Sequence, residues 1–275
     1  MYVYLQPQGG LNDNMCVISR VLDYCKHYNR KLMIDGRYSE YKMNYADFFD
    51  FPFDNVICNS TKFREICNNQ NCTVYPEGLN IFDVVDGKNL AEHVGGGIYK
   101  FNGHATSLPN QARKETFIVY STFGGGDGYT LFKQLHIKNY IKNECKKRYD
   151  LLQPPYLCIQ VRNTDIKCDY QLFYNEHKKI IHSFNEIYIA TDDINVLKFY
   201  KQTGLTIKNF STFPEGSYDS LHNSNLSAQQ KIIDLTCDIY IMAMSDNILS
   251  NSSGGFIQLA RHCFNNKPQI LQQFL

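Results

Sequence analysis

The run Asp238-Ile-Tyr-Ile-Met-Ala-Met-Ser-Asp-Asn-Ile-Leu-Ser-Asn-Ser-Ser-Gly-Gly255 decides the fold. It reads as the end of a helix, a short strand over 247–250, a small-residue turn over 251–255, and the start of a helix carrying Phe256, Leu259 and Ala260. A turn that leaves a strand and enters a helix exposes unpaired N–H groups at the positive end of the helix dipole, which is an anion site. Ser252, Ser253 and Gly254 are the residues such a site would use. The same residues also read as an ordinary buried αβα unit.

Upstream, Ser227 and Gln230 fit a capping box that opens the preceding helix. Ile233, Cys237, Ile241 and Met244 recur at helical spacing and give it an apolar stripe. Asp234 and Asp238 are one turn apart and share a face. Further toward the amino end, 156–161 (Tyr-Leu-Cys-Ile-Gln-Val) is a buried strand ending in Arg162-Asn-Thr-Asp165. The planar guanidinium of Arg162 matches two phosphate oxygens at once. A helix over 173–184 leads to a strand over 186–190 that ends in Thr191-Asp192-Asp193. A helix over 196–203, a strand over 206–208 and a polar loop over 210–225 complete this half. Alternating strands and helices predict a parallel sheet with helices on both faces. Arg162, Thr191, Asp192, Ser252 and Ser253 all follow strands, so they can converge on one sheet edge.

The amino-terminal half repeats the theme. A strand over 3–5, a loop over 6–14 with Gly9-Gly10-Leu11-Asn12-Asp13, a helix over 15–27 and a strand over 31–34 form a βαβ unit. Gly-x-Gly-x-x-Gly is absent, which argues against a dinucleotide site. Asp13 reads equally as a helix N-cap or as a group facing a ligand. The region from 40 to 150 says less. The aromatic run 45–51 is a docking loop or a core edge, and Gly95–Gly97 and Gly124–Gly128 are glycine loops. Residues 131–149 read as one helix whose basic end, Lys142, Lys146, Lys147 and Arg148, complements the dipole and needs no partner. Pro154-Pro155 breaks the chain, so the boundary is set there, with an amino-terminal lobe over 1–153 and a carboxy-terminal lobe over 154–275. The last helix is a candidate to pack back on the first lobe.

The chain has 275 residues, 43% apolar and 20% charged, with a formal net charge of +1. That describes a globular protein without the basic field that nucleic-acid binding needs. No apolar run reaches the length of a membrane span, and no export segment is evident at the start. The ten cysteines lack Cys-x-x-Cys spacing and read as reduced core thiols rather than metal ligands. Asn251-Ser-Ser fits a glycosylation acceptor, but a glycan there would block the anion turn, so a cytoplasmic location is expected.

Taken in order, 159–165 (Ile-Gln-Val-Arg-Asn-Thr-Asp), 187–192 (Ile-Tyr-Ile-Ala-Thr-Asp) and 238–255 resemble the three motifs of the fucosyltransferase-like superfamily, which includes core-fucosylating and protein O-fucosyltransferases. Gly9–Asp13 is similar to its amino-terminal glycine loop. The resemblance implies an α/β GT-B fold: two facing Rossmann-like lobes with mainly parallel sheets. It implies a glycosyltransferase that moves a sugar from a nucleotide-diphosphate donor to a glycan hydroxyl. Arg162 would neutralise the leaving phosphate. Ser252, Ser253 and Gly254 would hold the phosphates, Asp238 would accept from the nucleobase, and Thr191 and Asp192 would line the donor pocket. Gly9, Gly10 and Asn12 belong to the loop, and Asp13 would face the reacting centre. Gln160 stands where the family usually has histidine, near the base, and Asn163 where it often has a second basic residue. The donor therefore stays open between GDP-fucose and another sugar nucleotide such as UDP-xylose or a rhamnose donor.

In the chemistry expected, Asp13 is the general base of an inverting displacement. Arg162 and the helix dipole carry the leaving charge, so no metal or other cofactor is required. One competing reading is a carbohydrate- or nucleotide-binding protein of the same fold without catalysis. Another is a Rossmann-type oxidoreductase or epimerase, against which the missing glycine fingerprint counts.

Overall fold

The computed structural model describes every residue except Ser217, Asp219, His222 and Leu275. The chain divides into two compact units, Met1–His136 and Ile137–Leu275.

The first unit runs β1 (Tyr2–Gln8), α1 (Leu11–His27), β2 (Lys31–Ile34), β3 (Phe49–Asp50), β4 (Val56–Ile57), α2 (Phe63–Asn68), β5 (Val74–Tyr75), α3 (Ile81–Val85), β6 (Ala91–His93), β7 (Tyr99–Phe101), β8 (His104–Ala105), β9 (Phe117–Phe123) and α4 (Tyr129–Phe132). Five strands form a sheet in the order β4-β2-β1-β9-β5, parallel at every pairing. β6, β7 and β8 make a small antiparallel sheet. Tyr4, Met33, Phe63, Phe117 and Val119 anchor a core on one face of the parallel sheet.

β10 (His136–Ile137) marks the passage into the second unit, which continues α5 (Asn139–Tyr149), β11 (Tyr156–Val161), α6 (Tyr170–Ile181), β12 (Glu186–Thr191), α7 (Ile194–Lys201), β13 (Thr206–Lys208), α8 (Ala228–Met244), β14 (Asn247–Ser250), α9 (Gly255–Asn265) and α10 (Lys267–Phe274). Its sheet is wholly parallel, in the order β13-β12-β11-β14. β11 and β12 are buried along their whole length, as central parallel strands covered on both faces must be. One apolar layer joins Leu157, Ile159 and Ile187 to α6 and α7. The other joins Tyr156, Cys158 and Tyr188 to α8 and α9.

Several local readings change. β1 runs on to Gln8 and α1 begins at Leu11 with Gly10 as N-cap, so Asp13 is a first-turn residue and not a cap. The early start comes from Asn14, whose side-chain amide donates to the carbonyls of Gln8, Gly9 and Gly10 and holds the turn. The helix expected over 131–149 is broken into α4, β10 and α5. The Asp127 carboxylate accepts from Tyr129 N at 2.8 Å just before the short α4, and buried Leu135 and Ile137 carry the chain onward in extended spacing.

Arg148 is not a solvent-facing dipole partner: it is buried, with ion pairs to Glu144 at 2.9 Å and Asp234 at 2.7 Å. That link ties α5 to α8, so the compact second unit starts near residue 137 rather than at Pro154-Pro155. α10 packs on α8 and α9. Tyr45, Phe48 and Phe49 are buried, which makes the aromatic run core and not a docking loop. All ten cysteines are free thiols, seven of them buried. No helix among the described residues is long and apolar enough to cross a membrane.

Candidate functional site

The second unit carries the larger cluster. Strand register sets Gln160 beside Ser250 and Val161 beside Thr191, so the chain leaves three neighbouring strands at one level. Arg162, Asp192 and Asn251 follow at that rim. Asn251 stitches two loops: its Oδ1 accepts from Arg162 N at 3.1 Å, and its Nδ2 donates to Arg162 O at 3.2 Å. Ser250 adds a second stitch, donating to Gln160 Oε1 at 2.6 Å. Gln160 is buried and spends its side chain on this contact.

Arg162 is placed by Asp165. Its Nε donates to Asp165 Oδ1 at 2.8 Å and its Nη2 to Oδ2, a two-pronged ion pair. The guanidinium holds the Asp165 carboxyl below the usual carboxylate range. The remaining nitrogen, Nη1, lies against the serine turn, 2.9 Å from where a Cβ on Gly254 would stand. A Cβ at 254 would push the Arg162 guanidinium aside, although the backbone angle, φ −68°, would accept any residue. Gly254 is the N-cap of the 11-residue helix α9 and has no side chain with which to cap it. Ser252 Oγ accepts from Gly254 N at 3.0 Å, and Ser253 is exposed. A guanidinium, an exposed serine and a helix amino end thus meet on an accessible rim, a combination suited to binding an anion. Beside it opens a cleft of about 500 Å³ lined by Ser252, Ser253, Asp169, Leu172, Glu176 and Arg261.

Asp192 supports this rim from behind. Its carboxylate accepts from Asn163 N and from Thr164 Oγ1, both at 2.7 Å, and burial raises its pKa. Asn163 donates to Asp193 at 2.8 Å, and Thr191 Oγ1 accepts from Asp193 N at 3.2 Å. These residues shape the Arg162 loop. Asp238 stands apart from them. It lies on α8 and accepts from Tyr188 OH at 2.5 Å and Ser211 Oγ at 3.1 Å. Burial pushes its carboxyl up to about 7. Its partner Asp234 does share the face, accepting from Thr212 N at 2.8 Å. Ser227 caps α8 through Gln230 N at 3.1 Å, but the Gln230 amide donates to Asp234 instead of reaching back.

The first unit holds the other residues. Gly9, at φ +85°, turns the chain from β1 into α1, and its N–H donates to Glu40 at 2.7 Å. Asp13 folds back over this turn, its Oδ2 3.2 Å from the Cβ position of Gly9 and 3.7 Å from that of Gly10. Asn12 is buried and clasps the second glycine loop, donating to Gly126 O at 3.0 Å and accepting from Gly128 N at 3.1 Å. A side chain at Gly124 would overlap the Asp13 carbonyl, so the two glycine loops touch through backbone. Gly9, Gly10 and Asn12 therefore build the setting of Asp13.

Sequence reasoning overlooked Asp165, Asn251 as a stitch, Glu40 and Arg261. Asp165 had a local signal, an Arg-x-x-Asp spacing inside a motif already singled out. Glu40 and Asn251 had none, because their partners are 31 and 89 residues away. Among the described residues, no group of three or more His, Cys, Asp and Glu side chains is placed to hold a metal ion.

No protein-family profile and no curated protein matches the chain. Solved structures do. NodZ alpha-1,6-fucosyltransferase soaked with GDP-fucose aligns at TM-score 0.61 and 14% identity, over 94% of this chain and 91% of that one. Fucosyltransferase NodZ from Bradyrhizobium aligns at 0.60 and 14%, over the same shares. POFUT1 in complex with GDP-fucose aligns at 0.57 and 12%, over 95% of this chain and 93% of that one. At such identities the likeness speaks for architecture: this chain has the GT-B fold of the fucosyltransferases, built from two Rossmann-like units with mainly parallel sheets.

Proposed function

We propose that this protein is a glycosyltransferase that transfers a sugar from a nucleoside-diphosphate donor to a glycan hydroxyl. The observation that carries the reading is the seating of Arg162 Nη1 against Gly254, the glycine that opens α9. Phosphate oxygens there would accept from a guanidinium, a serine hydroxyl and backbone N–H groups together.

The reaction is an inverting displacement. The acceptor oxygen bonds to the anomeric carbon as the bond from that carbon to the phosphate oxygen breaks, and the electron pair leaves with the nucleoside diphosphate. The acceptor proton passes to the Asp13 carboxylate. Arg162, Ser252, Ser253 and the α9 dipole stabilise the charge growing on the leaving group, the role a divalent metal fills in other transferases. Full turnover in EDTA is the expected result, and strict manganese dependence would refute it.

The donor reading begins with GDP-fucose, because NodZ and POFUT1 were both solved with it. Gln160, committed to Ser250, and Asn163, committed to Asp193, keep UDP-xylose and other sugar nucleotides in the test. Asp238 would read the base by exchanging its Tyr188 and Ser211 bonds for base N–H groups. The bonded Asn251 side chain supports a cytosolic setting, since a glycan there would break the stitch. A thermal-shift panel of GDP-, UDP-, TDP- and CMP-linked ligands tests the assignment. A ligand at a hundred times its Kd stabilises by about 2.7 kcal/mol. No shift with any diphosphate would overturn it, and binding without sugar release or transfer would favour a catalytically inactive binder.

A further inference from the structure

The first unit shows an aromatic corner that the chemistry above does not use. Phe123 ends β9 and is 43% exposed, although it is a large apolar side chain leading directly into the Gly124 loop. His93, on the exposed edge of β6, stands 6.1 Å from it with the rings at 71°. Tyr99 lies beneath both and is buried, 5.0 Å from His93 and 6.4 Å from Phe123. The tip of the Phe123 ring is 3.4 Å from the Cβ position of Gly97, in the turn that joins β6 to β7. Two exposed rings thus form an L-shaped corner on a buried third.

The corner has a polar border shared with the Asp13 loop. Gly124, the next residue after Phe123, packs on the backbone of Asp13. Glu40 accepts from Gly9 N at 2.7 Å and is near enough to Tyr99 that its charge, after burial, raises the tyrosine pKa. An exposed aromatic plane that runs into the backbone of the Asp13 loop, where Asp13 and Glu40 both meet Gly9, suits a pyranose ring, whose C–H face is apolar and whose rim of hydroxyls donates hydrogen bonds.

We propose that the corner formed by His93 and Phe123 is the acceptor subsite, which stacks a pyranose ring of the glycan next to the Asp13 loop. This deepens the glycosyl-transfer reading and rests on it.

The test is an array of immobilised neutral oligosaccharides, probed with the whole protein without nucleotide, followed by titration of the best-bound glycan in solution. Phe123→Ala is expected to weaken that glycan about tenfold, and Phe123→Tyr to restore it. Thermal melts and circular dichroism of the same variants check that they are folded. Equal glycan affinity in wild type, Phe123→Ala and His93→Ala would overturn the proposal, as would no glycan bound by a protein that consumes the donor. Glycan bound at the corner by a protein that binds no sugar nucleotide would leave the subsite standing and remove the transfer reading instead.

Discussion

Arg162 offers the sharpest test because its surroundings set the size of the effect. Its side chain is 29% exposed and that of Asp165 34%, so the pair sits at a partly screened rim. Arg162→Ala removes the donor aimed at the phosphate, a loss of about 3 kcal/mol. It also strips Asp165 of its counter-charge and leaves a bare carboxylate where a diphosphate must bind. Two like charges near contact repel by about 1 kcal/mol in water-like surroundings and by about 4 at a typical protein surface. The exposure of both groups favours the lower end.

The single variant should then lose about 4 kcal/mol of diphosphate affinity, on the order of a thousandfold. Arg162→Ala with Asp165→Ala should recover about fivefold of it. Isothermal titration of the cognate nucleoside diphosphate into wild type, both single variants and the double variant closes the cycle. An Arg162→Ala protein that is folded and binds within about threefold of wild type would refute the reasoning. A double variant no better than the single would show that Asp165 is not the hidden cost.

Three further outcomes are expected. Gly254→Ala is allowed by φ −68°, yet its Cβ would press on Arg162 Nη1 from 2.9 Å, so diphosphate affinity should fall about tenfold while stability changes by less than about 1 kcal/mol; calorimetry and thermal melts read the two separately. Asp13→Asn should lower kcat by about 10² to 10⁴-fold with donor affinity retained, and full turnover would remove Asp13 as base. Asp238 holds its proton up to about 7 in the folded protein against 3.8 in the unfolded chain. Over that window the native state binds more protons, so its stabilising contribution is complete below about pH 4 and is lost as pH rises through 7. The rise of about 3 units corresponds to about 4 kcal/mol, and Asp238→Asn should flatten the slope of stability against pH between 4 and 7 in denaturant titrations.

The strand–turn–helix units were legible because their signals are local. The strands at 31–34, 156–161, 206–208 and 247–250 match their expected bounds, each an apolar or β-branched run stopped by a turn or a polar residue. The convergence of Arg162 with the serine turn followed from parallel order alone. What the sequence hid were contacts made at a distance. Asn12 looked like part of a ligand loop but clasps residues 126–128, more than a hundred positions on. Asp238 shared a helical face with Asp234 as expected, but Tyr188 and Ser211, which occupy it, come from other elements. The basic end of α5 looked self-sufficient until Asp234 met Arg148. Helix periodicity also faded in α8, which is buried almost all round from Thr236 to Ala243, so its stripe was only one part of its buried surface.

The central claim is that the second phosphate of a nucleoside diphosphate is held by Arg162 and the serine turn. Calorimetric titration of the wild-type protein with the monophosphate and the diphosphate of its cognate base measures that contribution alone. The account predicts that the diphosphate binds about a hundredfold more tightly, a difference of roughly 3 kcal/mol. Equal affinity for the two would contradict it.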